Sequence, residues 1–185
     1  MNVEITPRQE GAAFLEALQH LLFADPTTTT FAVLDGASIR DLLPQLAEYK
    51  PEHACLYRGE IAPDLAECAP YLVRLELNAP FTTWLLAEGW GNHWGIFATS
   101  NASFNTVRIH FRKFLIVRGP QGKRLYFRYY DPRVLRIYLP TCGSAETEVL
   151  FGQVNHYICE GERSDVVLSF HGSRGMRRYP MVNVI

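Results

Sequence analysis

The segment KRLYFRYYDPRVLRIYLP, residues 123–140, combines three local signals that agree with one another. Apolar side chains alternate with aromatic and cationic ones over residues 125–130, and this period of two predicts a strand. Asp131 and Pro132 then predict a helix start, because the carboxylate accepts hydrogen bonds from first-turn amides and proline loses none there. The segment is therefore predicted to be a strand that turns directly into a short helix, which ends at Pro140.

Short apolar runs with the length of buried strands recur on the N-terminal side of this segment. They lie at residues 31–35, 53–57, 71–77 and 96–99. Helical patterns separate them, and the glycine-rich residues 119–122 between two further runs are typical of a β-hairpin. We therefore predict an α/β fold: a mixed sheet flanked by helices, with a β-hairpin and the strand-to-helix unit at residues 123–140.

Three helix ends can be predicted from single residues. Pro44 lies inside a helical pattern and disfavours helical angles at the residue before it, so that helix is expected to be broken or to start late. Gly89 is predicted to be the left-handed cap of a helix that begins at Pro80. Ser103 is predicted to cap the N-terminus of the next helix.

We divide the chain into residues 1–155, the main α/β domain, and residues 156–185, a short C-terminal extension with a strand and a basic tail. The last fifteen residues, HGSRGMRRYPMVNVI, contain two glycines, three arginines and a proline. This composition predicts a tail or an interaction arm.

The composition of the 185-residue chain is that of a globular protein, with 48% hydrophobic and 20% charged residues. No apolar run approaches the ~20 residues of a membrane-spanning helix, so we expect no membrane partner. The start, MNVEITPRQE, lacks the basic and apolar regions of a secretory signal, which predicts a cytoplasmic protein. The widely spaced Cys55, Cys68, Cys142 and Cys159 form no CxxC pair and are expected to be buried free thiols.

The formal net charge of −1 conceals a strong segregation of charge along the chain. Residues 1–88 hold 5 basic and 13 acidic residues, whereas residues 89–145 hold 9 basic residues and a single acid, Asp131. Such a basic segment either attracts an anionic partner or neutralises itself against the acidic N-terminal half. We favour internal neutralisation slightly.

The sequence contains little that is typical of catalysis. Asp35 is the best enzymatic candidate, because it follows a buried strand and ligands of α/β sheets bind beyond strand ends. We favour the alternative that Asp35 caps the next turn or pairs with an arginine. The histidines show no metal-ligand spacing and the glycines no phosphate-loop spacing. We therefore expect no metal, no cofactor and no enzymatic activity.

The remaining candidates are aromatic and cationic side chains, which dominate protein interfaces because they bury much area and keep polar groups. Tyr126, Arg128 and Tyr130 share one face of the predicted strand, whereas Tyr129 is assigned to the core. Asp131 is expected to pair with Arg128 or Arg133 and to fix the strand-to-helix geometry. The candidates for partner binding or for a structural motif are Asp35, Tyr57, Trp90, Trp94, Arg112, Tyr126, Arg128, Tyr130, Asp131 and Arg133.

Several motifs, taken in order, resemble the N-terminal domain of the type VI secretion effector adaptors, a domain of unknown function. The resemblance covers residues 31–154 approximately. It rests on LLFADPTTTTFAVLDGA, ACLYRG, APYLVRLE, EGWGNHWGIF, the RKF at residues 112–114, and FRYYDPRVL.

This resemblance implies a cytoplasmic adaptor, or chaperone, that holds a secreted toxin effector and loads it onto the VgrG spike protein. Adaptors of this family usually carry a second, helical lobe, for which only about 30 residues remain here. Two other functions are kept as alternatives. One is an enzyme that acts on a phosphate or nucleotide substrate through Asp35 and the basic segment. The other is nucleic-acid binding, which the sequence pI near 6.6 disfavours.

Overall fold

The computed structural model describes residues 7–172 and 175–180, in which helices and strands alternate. The α-helices are α1 Pro7–Leu22, α2 Leu42–Tyr49, α3 Pro63–Cys68, α4 Pro80–Gly89, α5 Phe104–Arg112, α6 Pro132–Tyr138 and α7 Ser144–Phe151. The strands are β1 Thr29–Asp35, β2 His53–Cys55, β3 Pro70–Leu75, β4 Gly95–Ser100, β5 Ile116–Arg118, β6 Arg124–Tyr126, β7 His156–Glu160, β8 Val166–His171 and β9 Gly175–Pro180. The predicted α/β fold, in which helices flank a sheet, is confirmed.

Seven strands form one sheet in the order β2-β3-β1-β4-β7-β8-β9, with β1 between β3 and β4. All neighbouring strands described in this sheet are antiparallel. β3 and β4 run parallel to each other, but β1 is inserted between them, so the crossover through α4 creates no parallel neighbours. The prediction of a mixed sheet is therefore wrong in strand direction, because every described pair of neighbouring strands in this sheet is antiparallel. β5 and β6 form a separate hairpin.

Helices cover both faces of the sheet, so the central strand is apolar on both sides. Phe31 and Val33 of β1 point into a core formed with α5, α6 and α7. Ala32 and Leu34 point to the opposite face, where α1, α2 and α4 cover a second core. This is why residues 31–34 read as a continuous apolar run rather than an alternating one.

The predicted helix ends are largely confirmed. α2 begins at Leu42, which places Pro44 in the first turn, where its missing N–H costs no hydrogen bond. The Ser103 side chain accepts a hydrogen bond from the backbone N–H of Thr106 and caps α5. The prediction for Gly89 is wrong. Gly89 lies inside α4, and a Cβ there would come within 2.7 Å of the Trp94 ring, so its small size serves close packing.

The strand-to-helix unit is confirmed, but its strand is shorter than predicted. β6 ends at Tyr126, and the backbone then turns, with the N–H of Asp131 donating to the carbonyl of Arg128. Because the alternation of faces stops at this turn, Tyr129 and Tyr130 are both buried. α6 begins at Pro132, and its regular turns stop before Pro140.

The C-terminal residues contribute more to the sheet than the sequence indicates. The prediction of a tail is wrong for Gly175–Pro180, which forms β9 along the edge of β8. Residues 173–174 and 181–185 of that predicted tail lie outside the described part of the chain. The division at residue 155 stays a prediction.

The cysteines are free thiols, but only Cys159 is buried and Cys68 is exposed, so the predicted burial is wrong for most of them.

Candidate functional site

Four charged side chains join the central strand to the strand-to-helix unit: Asp35, Arg128, Asp131 and Arg133. We call this cluster the polar junction, and Asp35 is its first member along the chain. Asp35 ends β1 and is only 2% exposed. Its carboxylate accepts hydrogen bonds from the backbone N–H of Ala37, at 3.3 Å, and the hydroxyl of Ser38, at 2.9 Å. Gly36 follows because a Cβ at that position would lie 2.5 Å from the carbonyl oxygen of Ala69. Asp35 thus caps the turn after β1, as expected.

Asp131 provides the second carboxylate of the polar junction. It accepts a hydrogen bond from the backbone N–H of Arg133 at the start of α6, and two from the Arg133 guanidinium at 3.0 and 2.8 Å. Burial alone would raise the pKa of this carboxyl, but the Arg133 hydrogen bonds lower it below its usual value. The expected pairing of Asp131 is confirmed.

Arg128 connects the two carboxylates. Its guanidinium lies 2.5 Å from Asp35 and 3.5 Å from Asp131, while 48% of its side chain remains exposed. The strand-to-helix unit is thereby tied to the central strand of the sheet, across a long stretch of sequence. The charges of Asp35, Arg128, Asp131 and Arg133 are therefore paired with one another within the chain.

Tyr130 packs beside this junction and is only 5% exposed. Its ring meets that of Tyr129 edge-on, with centroids 5.5 Å apart. Burial, followed by the charge of Asp35, raises the pKa of its hydroxyl above its usual value. The prediction that Tyr130 shares a strand face with Tyr126 and Arg128 is wrong, because β6 ends at Tyr126.

Arg112, at the end of α5, fixes the loop that follows β2. Its guanidinium donates to three successive backbone carbonyls, those of Cys55, Leu56 and Tyr57, at 2.8 to 3.1 Å. Partial burial lowers the pKa of Arg112 from its ordinary value. The loop is thus held in one position without a salt bridge.

The β5–β6 hairpin projects from the sheet and shows two distinct faces. Ile116 pairs with Tyr126 and Arg118 with Arg124, and directly opposite residues share a face. Tyr126 is 75% exposed, and its ring lies 6.5 Å from that of Tyr57 in a near-perpendicular contact.

An open groove of about 840 Å³ runs between this hairpin face and the loop that Arg112 holds. We call it the hairpin groove. It is lined by Leu56, Tyr57, Arg58, Ile61, Leu65, Arg112, Lys113, Leu115, Ile116, Arg118, Arg124 and Tyr126. Five of these residues are cationic and the other seven are apolar or aromatic. Among the lining residues that the structure describes, none is acidic, so the groove has a positive potential.

The structure divides the predicted site residues into three groups. Tyr57, Arg112 and Tyr126 line the hairpin groove. The second group has five residues: the four of the polar junction, Asp35, Arg128, Asp131 and Arg133, and Tyr130, which packs beside them. Trp90 and Trp94 make up the third group and pack against the core on the opposite face of the sheet.

The two tryptophans are held by neighbours within the chain. The Trp90 indole N–H donates to the carbonyl of Ser164 at 2.7 Å, and its ring stacks on Phe97. Trp94 packs against Trp84 with ring centroids 5.3 Å apart. Their role in partner binding stays a prediction, and neither of them lines the hairpin groove.

Sequence reasoning missed most of the hairpin groove. Arg58 and Ile61 lie between β2 and α3, and Leu65 lies in α3. Arg58 belongs to the ACLYRG motif, but none of the three was a candidate site residue. Arg118 and Arg124 were identified only as part of the basic segment. Their equal distance from the turn at Gln121 was the available signal, since it places the two guanidinium groups on one face of a hairpin.

Together, the fold and the site define a three-layer α/β domain with an open, positively charged groove beside a projecting hairpin. Residues 30–148 match the family described as DUF4123, domain of unknown function, and the chain belongs to this family. The domain occurs in type VI secretion effector adaptors. No curated protein and no solved structure matches the chain.

Two further findings concern the described residues only. They include no helix that is both long and apolar enough to cross a membrane. They also include no cluster of three or more histidine, cysteine, aspartate or glutamate residues placed to hold a metal ion.

Proposed function

We propose that this protein is a non-enzymatic adaptor that binds a type VI secretion effector and helps to load it onto the VgrG spike. Membership of the DUF4123 family supports this function, since the domain occurs in such adaptors. The resemblance of the motifs, from LLFADP to FRYYDPRVL, supports it as well.

The observation that carries the proposal is the hairpin groove. Leu65, Ile116 and Tyr126 are exposed along its walls, and exposed apolar side chains grouped with arginines are typical of protein-binding surfaces. Arg112 holds one wall in place before any partner arrives, so little ordering entropy is lost on binding.

The alternative function, an enzyme that uses Asp35 and the basic segment, receives less support from the geometry. Asp35 does not line the hairpin groove, and its oxygens accept hydrogen bonds from Ala37, Ser38 and Arg128. The described lining residues include no carboxylate, histidine, serine or cysteine to act as a nucleophile or general base.

The proposed function is tested by co-expressing the chain with each protein encoded beside its gene. We expect one of them, a secreted effector, to co-elute with the chain on size-exclusion chromatography and to bring VgrG into the same complex. The chain with Arg40→Glu, an exposed substitution remote from the groove, serves as the control for changes in charge. Elution of the chain alone in every co-expression would contradict the proposal, as would turnover of a phosphate ester by the purified chain.

A further inference from the structure

The hairpin groove combines an apolar strip with a cationic rim. Leu65 contributes exposed apolar surface from one wall, and Ile116 and Tyr126 contribute it from the other. Leu56 and Leu115 are buried beneath them. A ligand that fits this groove must therefore cover apolar surface along its length as well as present charge.

Four cations of the groove make no direct ion pair within the described chain. Arg58, Lys113, Arg118 and Arg124 take part in no ion pair among residues 7–172 and 175–180. The predicted neutralisation by the acidic N-terminal half is thus seen for Arg128 and Asp35 but not along the groove. Four cations with no acidic partner form a site for negative charge.

The hairpin itself places two of these cations in an unfavourable position. Arg118 and Arg124 are direct cross-strand partners on the groove face, and like charges in that position repel each other. Negatively charged side chains in the groove would remove this repulsion. The arrangement is therefore complementary to an acidic ligand rather than a neutral one.

We propose that the hairpin groove binds an acidic segment of the partner protein in which aspartate or glutamate residues alternate with apolar ones. This proposal rests on the adaptor function and names the chemistry of the segment that the adaptor holds. Apolar side chains of the segment lie against Leu65, Ile116 and Tyr126, and its carboxylates face Arg58, Arg118 and Arg124.

A nucleic acid would also satisfy the charge of the groove, but it fits the remaining features less well. Single strands bind through base stacking on exposed aromatic side chains. The groove has two aromatic side chains, of which Tyr126 is exposed and Tyr57 is half-buried. The rest of its apolar surface is aliphatic and includes Ile61, Leu65 and Ile116. The observations therefore favour a polypeptide.

The proposal is tested by fluorescence anisotropy with the full chain and labelled synthetic peptides. The first probe alternates glutamate with leucine, the second replaces every glutamate by lysine, and the third replaces every leucine by serine. We expect saturable binding of the glutamate–leucine peptide, no binding of the lysine peptide, and about tenfold weaker binding of the serine peptide. A labelled single-stranded oligonucleotide is expected to bind more weakly than the first probe.

Variants that reverse the charge of groove arginines test whether the peptide binds in the hairpin groove. The double variant Arg118→Glu, Arg124→Glu is expected to weaken binding of the glutamate–leucine peptide at least about tenfold. The matched control, Arg40→Glu with Lys50→Glu, changes the net charge equally at two exposed sites outside the groove and should bind like the unmodified chain. Arg58→Glu, in the opposite wall, repeats the test without altering the hairpin.

The possible results distinguish failure of the groove proposal from failure of the adaptor function. Absence of saturable binding, equal binding by the groove and control variants, or a preference for the oligonucleotide would overturn the groove proposal. An effector complex that survives both groove variants would overturn it too, while leaving the adaptor function intact. Peptide binding without any effector complex would instead contradict the adaptor function alone.

Discussion

At the residue scale, the most consequential contact is the one that Arg128 makes with Asp35. Asp35 is almost fully buried at the end of β1, and a buried carboxylate without a cationic partner is costly. Its other partners, the Ala37 N–H and the Ser38 hydroxyl, supply hydrogen bonds but no charge. Arg128 therefore stabilises both the turn after β1 and the position of α6.

Replacement of Arg128 by alanine is expected to lower the free energy of unfolding by about 2 kcal/mol, because it leaves the Asp35 carboxylate buried without a counter-charge. Urea-induced unfolding followed by circular dichroism measures the change. Arg40→Ala, at an exposed site without an ion pair in the described chain, is the matched control and should leave stability unchanged.

A double-mutant cycle separates the charge from the rest of the side chain. In a chain that already carries Asp35→Asn, Arg128→Ala should cost less than about 1 kcal/mol, because the other buried carboxylate near Arg128, that of Asp131, keeps Arg133 as its cationic partner. An equal loss of stability in both backgrounds would show that Arg128 acts through packing, and that the contact with Asp35 contributes little.

Sequence patterns predicted the roles of single residues well where the partner is close in the chain. Asp131 and Pro132 identified the start of α6, and the Arg133 pairing followed from proximity. Asp35 was expected to cap a turn or pair with an arginine, and it does both. The identity of that arginine was not predictable, since Arg128 is brought to Asp35 only by the packing of distant elements.

At the element scale, the hairpin carries an internal conflict. Arg118 and Arg124 face each other across strands only three residues long, and each strand exposes most of its side chains. So short a hairpin has little cross-strand pairing to offset this repulsion. Under the groove proposal, an acidic ligand would offset this repulsion.

The single substitution Arg118→Glu should stabilise the hairpin by about 0.5 kcal/mol, because it replaces a like-charge pair by an opposite-charge one. Amide hydrogen exchange of residues 116–126 measures this local stability. Arg118→Gln, which removes the repulsion without adding an attraction, should give an intermediate protection factor. Faster exchange in the glutamate variant than in the unmodified chain would show that no repulsion exists between the two arginines.

The position of the hairpin was predictable, but the end of β6 was not. Gly119 and Gly122 around a proline indicate the turn between the strands. The alternation over residues 125–130 wrongly extended β6, because the period of two cannot show where tertiary packing ends a strand. Burial of both Tyr129 and Tyr130 requires a turn at that point.

At the scale of the whole molecule, the layers were predictable and the groove was not. The continuous apolar run of β1 and the helical patterns around it indicate a sheet covered on both faces. The hairpin groove assembles residues 56–65, 112–116 and 118–126, whose proximity depends on the sheet order and on the Arg112 contacts. A single sequence contains no signal for such long-range placement.

The same topology bears on the predicted division at residue 155. β7 pairs with β4 inside the sheet, and the strands after residue 155 bury Tyr157, Cys159, Val167 and Phe170 among others. At about 2 kcal/mol for each fully buried side chain, their loss approaches the ~5–15 kcal/mol that stabilises a typical domain. A chain that ends at Asn155 is therefore expected to show no cooperative thermal unfolding by circular dichroism.

The matched control for this truncation is a chain that ends at Gly172, which keeps β7 and β8 and lacks β9. Because β9 pairs with β8 alone, at the edge of the sheet, this shorter deletion should leave a cooperative transition at a lower Tm. It should also promote self-association, since it uncovers the edge of β8. A cooperative transition for the chain ending at Asn155 would show that residues 1–155 fold independently, and that β7 is attached to a sheet already complete at β4.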